Sequence, residues 1–273
     1  MDDRQTPSAD RGYGILTKAR LKRRPAIQPP ETIFYNKGGE ARPYRRHDRD
    51  SLMREFYCDA ILFDLDGVLV DSTQVVERQW RQWATRNQID IGAVMAISHG
   101  RRAIEIIQTV APHLNSLAEA TYLAAAEAAD TAGLSVYEGA YHLLTTLPTG
   151  HWAVATSGTR AVASARLTHA GLPLPAVFVT ADDVPRGKPS PDPYLQAAAG
   201  LGIPADRCLV IEDAPAVVTA GLAAGAQVIA VATTHAPDQL THATAIVEKL
   251  SALRITVQPT AEYRLRIQLP TLV

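Results

Sequence analysis

Cysteine is almost missing from this chain. Cys58 and Cys208 are the two in 273 residues, and neither has a partner at metal-ligand spacing. That excludes a disulfide-stapled scaffold and a thiolate zinc site. Both lie in apolar runs and read as reduced core residues of a cytoplasmic protein. No stretch approaches the roughly 20 consecutive apolar residues of a membrane-spanning helix. The opening "MDDRQTPSADRGYG" has an acidic start and no apolar run, so no secretory leader is expected. Aromatic residues are sparse at 6%, and neither an internal repeat nor a low-complexity tract interrupts the chain. What remains, 47% hydrophobic and 20% charged, is an ordinary globular composition with ample material for a core.

The net charge of −1 conceals an asymmetry. Residues 1–54 carry 13 Lys/Arg against 7 Asp/Glu, and residues 55–273 carry 14 against 21. The first segment, with "KARLKRRPAIQPPET", has no sustained period and several prolines, so it reads as a basic and largely disordered extension. Such an arm suits nucleic acid or an acidic partner. The simpler expectation, adopted here, is a dispensable extension, or translated sequence ahead of a start at Met53, with no nucleic acid involved.

From residue 59 the pattern turns regular. Short β-rich runs appear at "AILFDL" (60–65), "WAVAT" (152–156), "VFVT" (177–180), "CLVIE" (208–212) and "QVIAV" (227–231). All but the first two are separated by helical stretches of crossover length, the rhythm of buried parallel strands. Between Asp66 and Thr156 the signal is helical instead, at roughly 73–87, 101–112 and 116–131. Val75, Val76, Gln79, Trp80 and Trp83 form a stripe at helical spacing that reads as core packing. The expected fold class is therefore α/β, a Rossmann-like parallel-sheet core with an inserted all-helical cap domain. The core takes residues 55–72 and 138–273, and the cap residues 73–137. After residue 250, "LRITV" and "YRLRIQL" alternate like an added strand pair without visible chemistry.

Ligands of open parallel sheets bind at the carboxyl ends of the strands. There the first strand delivers Asp64 and Asp66, on one side by alternation, before Gly67. The second ends in Thr156-Ser157-Gly158, a hydroxyl ahead of backbone amides at a helix start and thus an anion site. Lys188 follows the third in "GKPSPDPY", and Glu212-Asp213 end the fourth. Burying carboxylates at this density costs several kcal/mol unless they are compensated. Mg²⁺, a hard cation with oxygen ligands, together with Lys188 would compensate them and also bind phosphate oxygens. One aspartate is then free to attack phosphorus while its neighbour moves a proton.

These four motifs, in order and each at a strand end or the following loop, resemble the haloacid dehalogenase-like hydrolase superfamily, in its subgroup with a helical cap after the first strand. The resemblance covers residues 57–250. It implies that Asp64 forms an aspartyl-phosphate, and that Asp66 protonates the leaving alcohol and then activates water. It implies that Thr156, Ser157 and Lys188 hold the phosphoryl group. Asp64, the Asp66 carbonyl and Asp213 would bind Mg²⁺, with Glu212 one step behind the ion. Val68-Leu69 replace the usual aliphatic-Thr-Leu, and Glu138 stands at the hinge where relatives often have proline. Asp71-Ser72 are expected to cap the first cap helix, and Asp182 and Asp183 to orient the Lys188 loop.

The cap junction "ISHGRRAIEII" resembles that of sugar- and polyol-phosphate phosphatases such as glycerol-3-phosphatase and 2-deoxyglucose-6-phosphatase. By that likeness His99, Gly100, Arg101 and Arg102 face the leaving group. The expected substrate is a small phosphorylated metabolite, a sugar or polyol phosphate, handled by a cytoplasmic, preferentially monomeric enzyme. The alternative is β-phosphoglucomutase-like transfer of the phosphoryl group to a second sugar hydroxyl.

Overall fold

The structure is a computed structural model that describes residues 33–35, 41–43, 53–258 and 262–270. The expectation of disorder over residues 1–54 lies mostly outside these residues. The chain divides into two units, Met1–Asp48 and Arg49–Val273. In the first, β1 (Ile33–Tyr35) and β2 (Ala41–Pro43) pair antiparallel, where no strand is expected. No helix among the described residues is long and apolar enough to cross a membrane.

The first described strand of the larger unit is β3 (Met53–Cys58), whose first two residues fall in the segment read as an extension. After Asp59 the chain enters β4 (Ala60–Phe63), whose four residues are all buried. A short ribbon, β5 (Val70–Asp71) with β6 (Ser135–Val136), brackets four helices. These are α1 (Thr73–Asn87), α2 (Ile91–Ser98), α3 (Ala103–Val110) and α4 (Ser116–Ala129). Then come α5 (Ala140–Thr146), β7 (Trp152–Ala155), α6 (Arg160–His169), β8 (Phe178–Val179) and α7 (Asp192–Leu201). The chain continues through β9 (Cys208–Glu212), α8 (Pro215–Ala223), β10 (Gln227–Val231), β11 (Ala245–Val247), β12 (Arg254–Val257) and β13 (Leu265–Pro270).

Six strands form one parallel sheet in the order β11-β10-β9-β4-β7-β8. Alternation sends Ile61 and Phe63 of β4 to one face, with Leu144 and Leu167 of α5 and α6. Ala60 and Leu62 go to the other, with Tyr194 and Val218 of α7 and α8. Each large side chain so buried contributes about 1.5–3 kcal/mol. The two late strands do pair as expected, and β13 also pairs with β3, Leu265 opposite Cys58 and Pro270 opposite Met53, making a three-stranded sheet.

The helical insert has its own core, with Trp80, Trp83, Ile106, Ile107 and Leu123 at its centre. Asp71 Oδ1 accepts from the Thr73 N–H at 3.1 Å, so the start of α1 is capped by Asp71 and not by the Ser72 hydroxyl. Helix α2 lies outside the helical stretches read from the sequence. It is eight residues long, apolar and interrupted by Gly92, so it has no amphipathic period, and packing against α1 and α3 makes it helical.

Candidate active site

The parallel sheet reverses its winding between β4 and β9, because β4, β7 and β8 run outward one way and β9, β10 and β11 the other. A crevice forms outside the carboxyl ends at such a switch point. Asp64 and Asp66 leave β4 into it, and Glu212 and Asp213 leave β9. The Asp64 N–H still donates to Ile211 O at 3.0 Å, which fixes the first carboxylate to the end of the neighbouring strand. Gly67 then turns the chain with φ of +82°. A Cβ there would lie 2.1 Å from Asp213 Oδ2, so the glycine is what lets the two strand ends approach.

Lys188 is fully buried. Its Nζ donates to Glu212 Oε1 at 2.7 Å, stands 3.0 Å from Asp64 Oδ1, and lies 4.8 Å from the centre of the Tyr194 ring. Burial alone would disfavour the ammonium, but Asp64 and Glu212 outweigh it and raise its pKa. The carboxylates are not fully compensated by this one cation. Burial raises Asp64 despite Lys188, and burial followed by Asp64 raises Glu212 well above its ordinary value. Burial and then Asp64 push Asp213 up to about 7, although the Thr234 hydroxyl bonds it.

Asp64, Glu212 and Asp213 each bring a carboxylate oxygen within 4.8 Å of the others. An all-oxygen set with surplus negative charge fits a hard divalent cation. Asp64 Oδ1, with Lys188 Nζ at 3.0 Å, and Asp66 Oδ1, which accepts no hydrogen bond among the described residues, are both buried and keep lone pairs for such an ion or for substrate. Glu212 is different. Lys188 takes Oε1 and the Asp213 N–H, at 3.3 Å, takes Oε2, so Glu212 serves to hold the lysine.

Thr156 is buried, and its Oγ1 accepts from the Gly158 N–H at 3.1 Å, opening the turn into α6. Ser157 does something unexpected: its hydroxyl donates to Gly100 O in the insert at 2.7 Å. Asp182 accepts from the Arg160 N–H, and Asp183 accepts from the Thr180 N–H and hydroxyl while pairing with Arg160. Both tie the start of the Lys188 loop to the start of α6.

The junction between α2 and α3 reaches the core at several points. The ring of His99 stands edge-on to that of His235, centroids 5.0 Å apart, and burial lowers the pKa of each. Gly100, with φ of +69°, comes so close to Val217 that a Cβ would meet its methyl at 2.2 Å. Arg101 lines the cavity between insert and core, and its Nε is buried without a hydrogen-bond partner among the described residues. Arg102 lines the same cavity and makes further contacts. Its guanidinium donates to Val184 O at 2.9 Å, to Pro185 O at 3.0 Å and to Glu105, whose Oε1 also accepts from the Gly187 N–H. These bonds dock the insert on the Lys188 loop.

The cavity holds about 360 Å³, with Asp64 and Asp66 in its wall together with Thr156, Trp80 and Met95. Two further wall residues escaped the sequence reading. Arg166 of α6 donates to Asp66 Oδ2 at 2.6 Å and to Glu127 of α4 at 2.7 Å. A signal existed: Arg166 shares a stripe with Val162, Ala163 and Leu167, and a charge on a buried stripe calls for a partner.

Known proteins agree with this arrangement. The model of the haloacid dehalogenase-like hydrolases matches residues 58–225. Hexitol phosphatase A of Escherichia coli K12 is 43% identical over 210 residues, 75% of this chain and 97% of that protein. Glycerol-1-phosphate phosphohydrolase 2 of Saccharomyces cerevisiae is 38% identical over 194 residues, 67% of this chain and 78% of its own. Among solved structures, a hydrolase from Pseudomonas syringae superposes with a TM-score of 0.63 at 26% identity, over 70% of this chain and 94% of that one. With a family match across more than half its length and a relative spanned nearly end to end, this chain belongs to the haloacid dehalogenase-like hydrolases.

Proposed function

We propose that the protein is a Mg²⁺-dependent phosphatase that hydrolyses a small sugar or polyol phosphate monoester through an aspartyl-phosphate on Asp64. The observation that carries the reading is the position of Asp64 Oδ1. It is buried in the cavity wall, with Lys188 Nζ 3.0 Å away as its cationic partner. An oxygen so placed is a nucleophile with a phosphate-binding cation beside it.

Asp64 attacks phosphorus, and the bond from phosphorus to the ester oxygen breaks. Asp66 gives that oxygen a proton, so a neutral alcohol leaves. Asp66 then takes a proton from water as the water oxygen attacks the aspartyl-phosphate. Inorganic phosphate departs and the Asp64 carboxylate is restored. Lys188 and Thr156 hold the phosphoryl oxygens throughout. Asp64, the Asp66 carbonyl and Asp213 would hold the Mg²⁺, whose charge when bound stabilises that developing on the phosphoryl group.

The helical insert acts as a cap over this chemistry, excluding water while the ester bond breaks. Its contacts with the core through Gly100, Arg102 and Glu127 describe the closed arrangement. The similarity to proteins named for hexitol and glycerol phosphates supports a polyol or sugar phosphate, and hydrolysis over transfer to a second sugar. A panel of hexitol, glycerol and hexose phosphates, assayed for released phosphate with and without Mg²⁺, tests the reading. Activity on at least one polyol or sugar phosphate, lost in Asp64→Asn with the fold intact, is the expected result. Turnover near wild type in Asp64→Asn would remove Asp64 as nucleophile.

A further inference from the structure

A buried guanidinium sits on the seam between insert and core. Arg166 projects from the core helix α6, and its side chain is 4% exposed. One arm, Nη1, meets Asp66 Oδ2 at 2.6 Å, and the other, Nη2, meets Glu127 Oε2 at 2.7 Å. Asp66 belongs to the core turn after β4, whereas Glu127 belongs to the last helix of the insert.

Stability alone does not call for this arrangement. A buried ionic triad replaced as a whole by apolar side chains of similar volume is often no less stable, and the neighbours of Arg166 on its stripe are Val162, Ala163 and Leu167. With Asp66 and Glu127 replaced as well, a leucine or methionine would complete that stripe. What the arginine adds is geometry. Its five donors form a rigid planar fork, so the position of one bound carboxylate is fixed relative to the other. Arg166 grips Asp66 by Oδ2, while Oδ1 is left buried and without a hydrogen bond among the described residues. One oxygen is anchored, and the other is presented to the cavity.

We propose that Arg166 is a positioning residue that makes the working orientation of Asp66 depend on closure of the helical insert, sensed through Glu127. This rests on the reading of Asp66 as the group that protonates the leaving oxygen. With the insert docked, Glu127 occupies Nη2 and confines the fork to a single contact with Asp66. With the insert withdrawn, Nη2 loses its partner, the fork is free to rotate, and Asp66 loses the support that orients Oδ1. Proton delivery is thereby tied to a covered site.

The test uses leaving-group dependence in the full-length protein. Sorbitol 6-phosphate releases an alkoxide that must be protonated, whereas p-nitrophenyl phosphate releases a stable phenolate. The constant compared is kcat/KM, which reports events up to the first irreversible step. Asp66→Ala is the reference and is expected to lose roughly 10²- to 10⁴-fold on the sorbitol ester and far less on the phenyl ester. Arg166→Met should show the same selectivity at smaller scale, roughly 30- to 100-fold on the sorbitol ester, the scale of a misplaced catalytic group. Glu127→Gln should lose roughly tenfold more on that ester than on the phenyl ester, whose own smaller loss reports the docking contact removed.

In the Asp66→Ala background, Arg166→Met should cost less than about twofold, because a residue acting through Asp66 has nothing left to act on. Arg166→Lys, which keeps the charge without the fork, carries the same comparison should Arg166→Met not fold. Equal losses on both esters, or an undiminished loss without Asp66, would overturn the proposal. A Glu127→Gln enzyme matching wild type would overturn its dependence on closure. An Asp66→Ala enzyme equally impaired on both esters would instead refute the acid role of Asp66, and the inference would fall with it.

Discussion

Removing the Arg102 side chain should open the enzyme rather than change its taste. In Arg102→Ala the insert loses two hydrogen bonds to the core, at 2.9 Å to Val184 O and 3.0 Å to Pro185 O. It also leaves Glu105, which accepts from the Gly187 N–H at 3.0 Å, without its cation. The Arg102 side chain is 13% exposed, so solvent screening removes little of this. A hydrogen bond to a charged group is worth about 1.5–3 kcal/mol. Water entering the space left by the alanine rehydrates the two carbonyls, so a net loss of about 1.5–3 kcal/mol for the pair is the working figure. At 1.36 kcal/mol per factor of ten, kcat/KM should fall roughly tenfold to a hundredfold. Both a polyol phosphate and p-nitrophenyl phosphate need the closed insert, so steady-state kinetics should show similar factors for the two. A loss confined to the polyol phosphate would refute the docking role and return Arg102 to direct contact with the leaving group.

Gly67→Ala should lose most activity, because a Cβ at φ of +82° lands on Asp213 Oδ2; thermal melting should register only about 1–2 kcal/mol of backbone strain, and unchanged turnover would contradict the close approach. Deleting residues 1–52 should leave solubility and kcat/KM near those of the full chain, whereas deletion through Asp59 removes β3, with buried Phe56 and Cys58, and should yield little folded protein. In EDTA, stability should rise as pH falls from 8 to 6, since Asp213 at about 7 binds its proton more tightly folded than unfolded. Mg²⁺ should stabilise more at pH 8 than at pH 6, because protons compete for the same oxygens; equal shifts in melting temperature at both values would remove Asp213 from the ion site.

The strand-end residues were legible because their message is local. An apolar run followed by Asp64-Leu65-Asp66-Gly67, or by Glu212-Asp213, states both where a buried strand stops and what stands at its end. The parallel order follows from crossover helices that are equally local. What escaped is what depends on one body meeting another. Nothing near Ser157 in the sequence says that its hydroxyl will find Gly100 O, and nothing near Arg102 points to Val184 and Pro185. Glu127 sits in "LAAAEAA", where a glutamate reads as a solvated helix face until α6 is laid against it. The pairing of β3 with β13 joins residues more than 200 apart, so alternation revealed the late strand but not its neighbour.

That pairing has a practical consequence. Met53 and Pro270 face each other across one antiparallel ladder, so the two outermost described strands of the larger unit end side by side. Arg54 donates to Thr244 O just before β11, placing this corner at the edge of the sheet where parallel strands begin. Catalysis is assigned to the opposite edge, where they finish. A short tether from Pro270 back to Met53 would close the unit into a ring, and new termini could be cut in a loop elsewhere without touching the chemistry. Surface attachment or fusion through this corner leaves the substrate cavity facing away from whatever it is joined to.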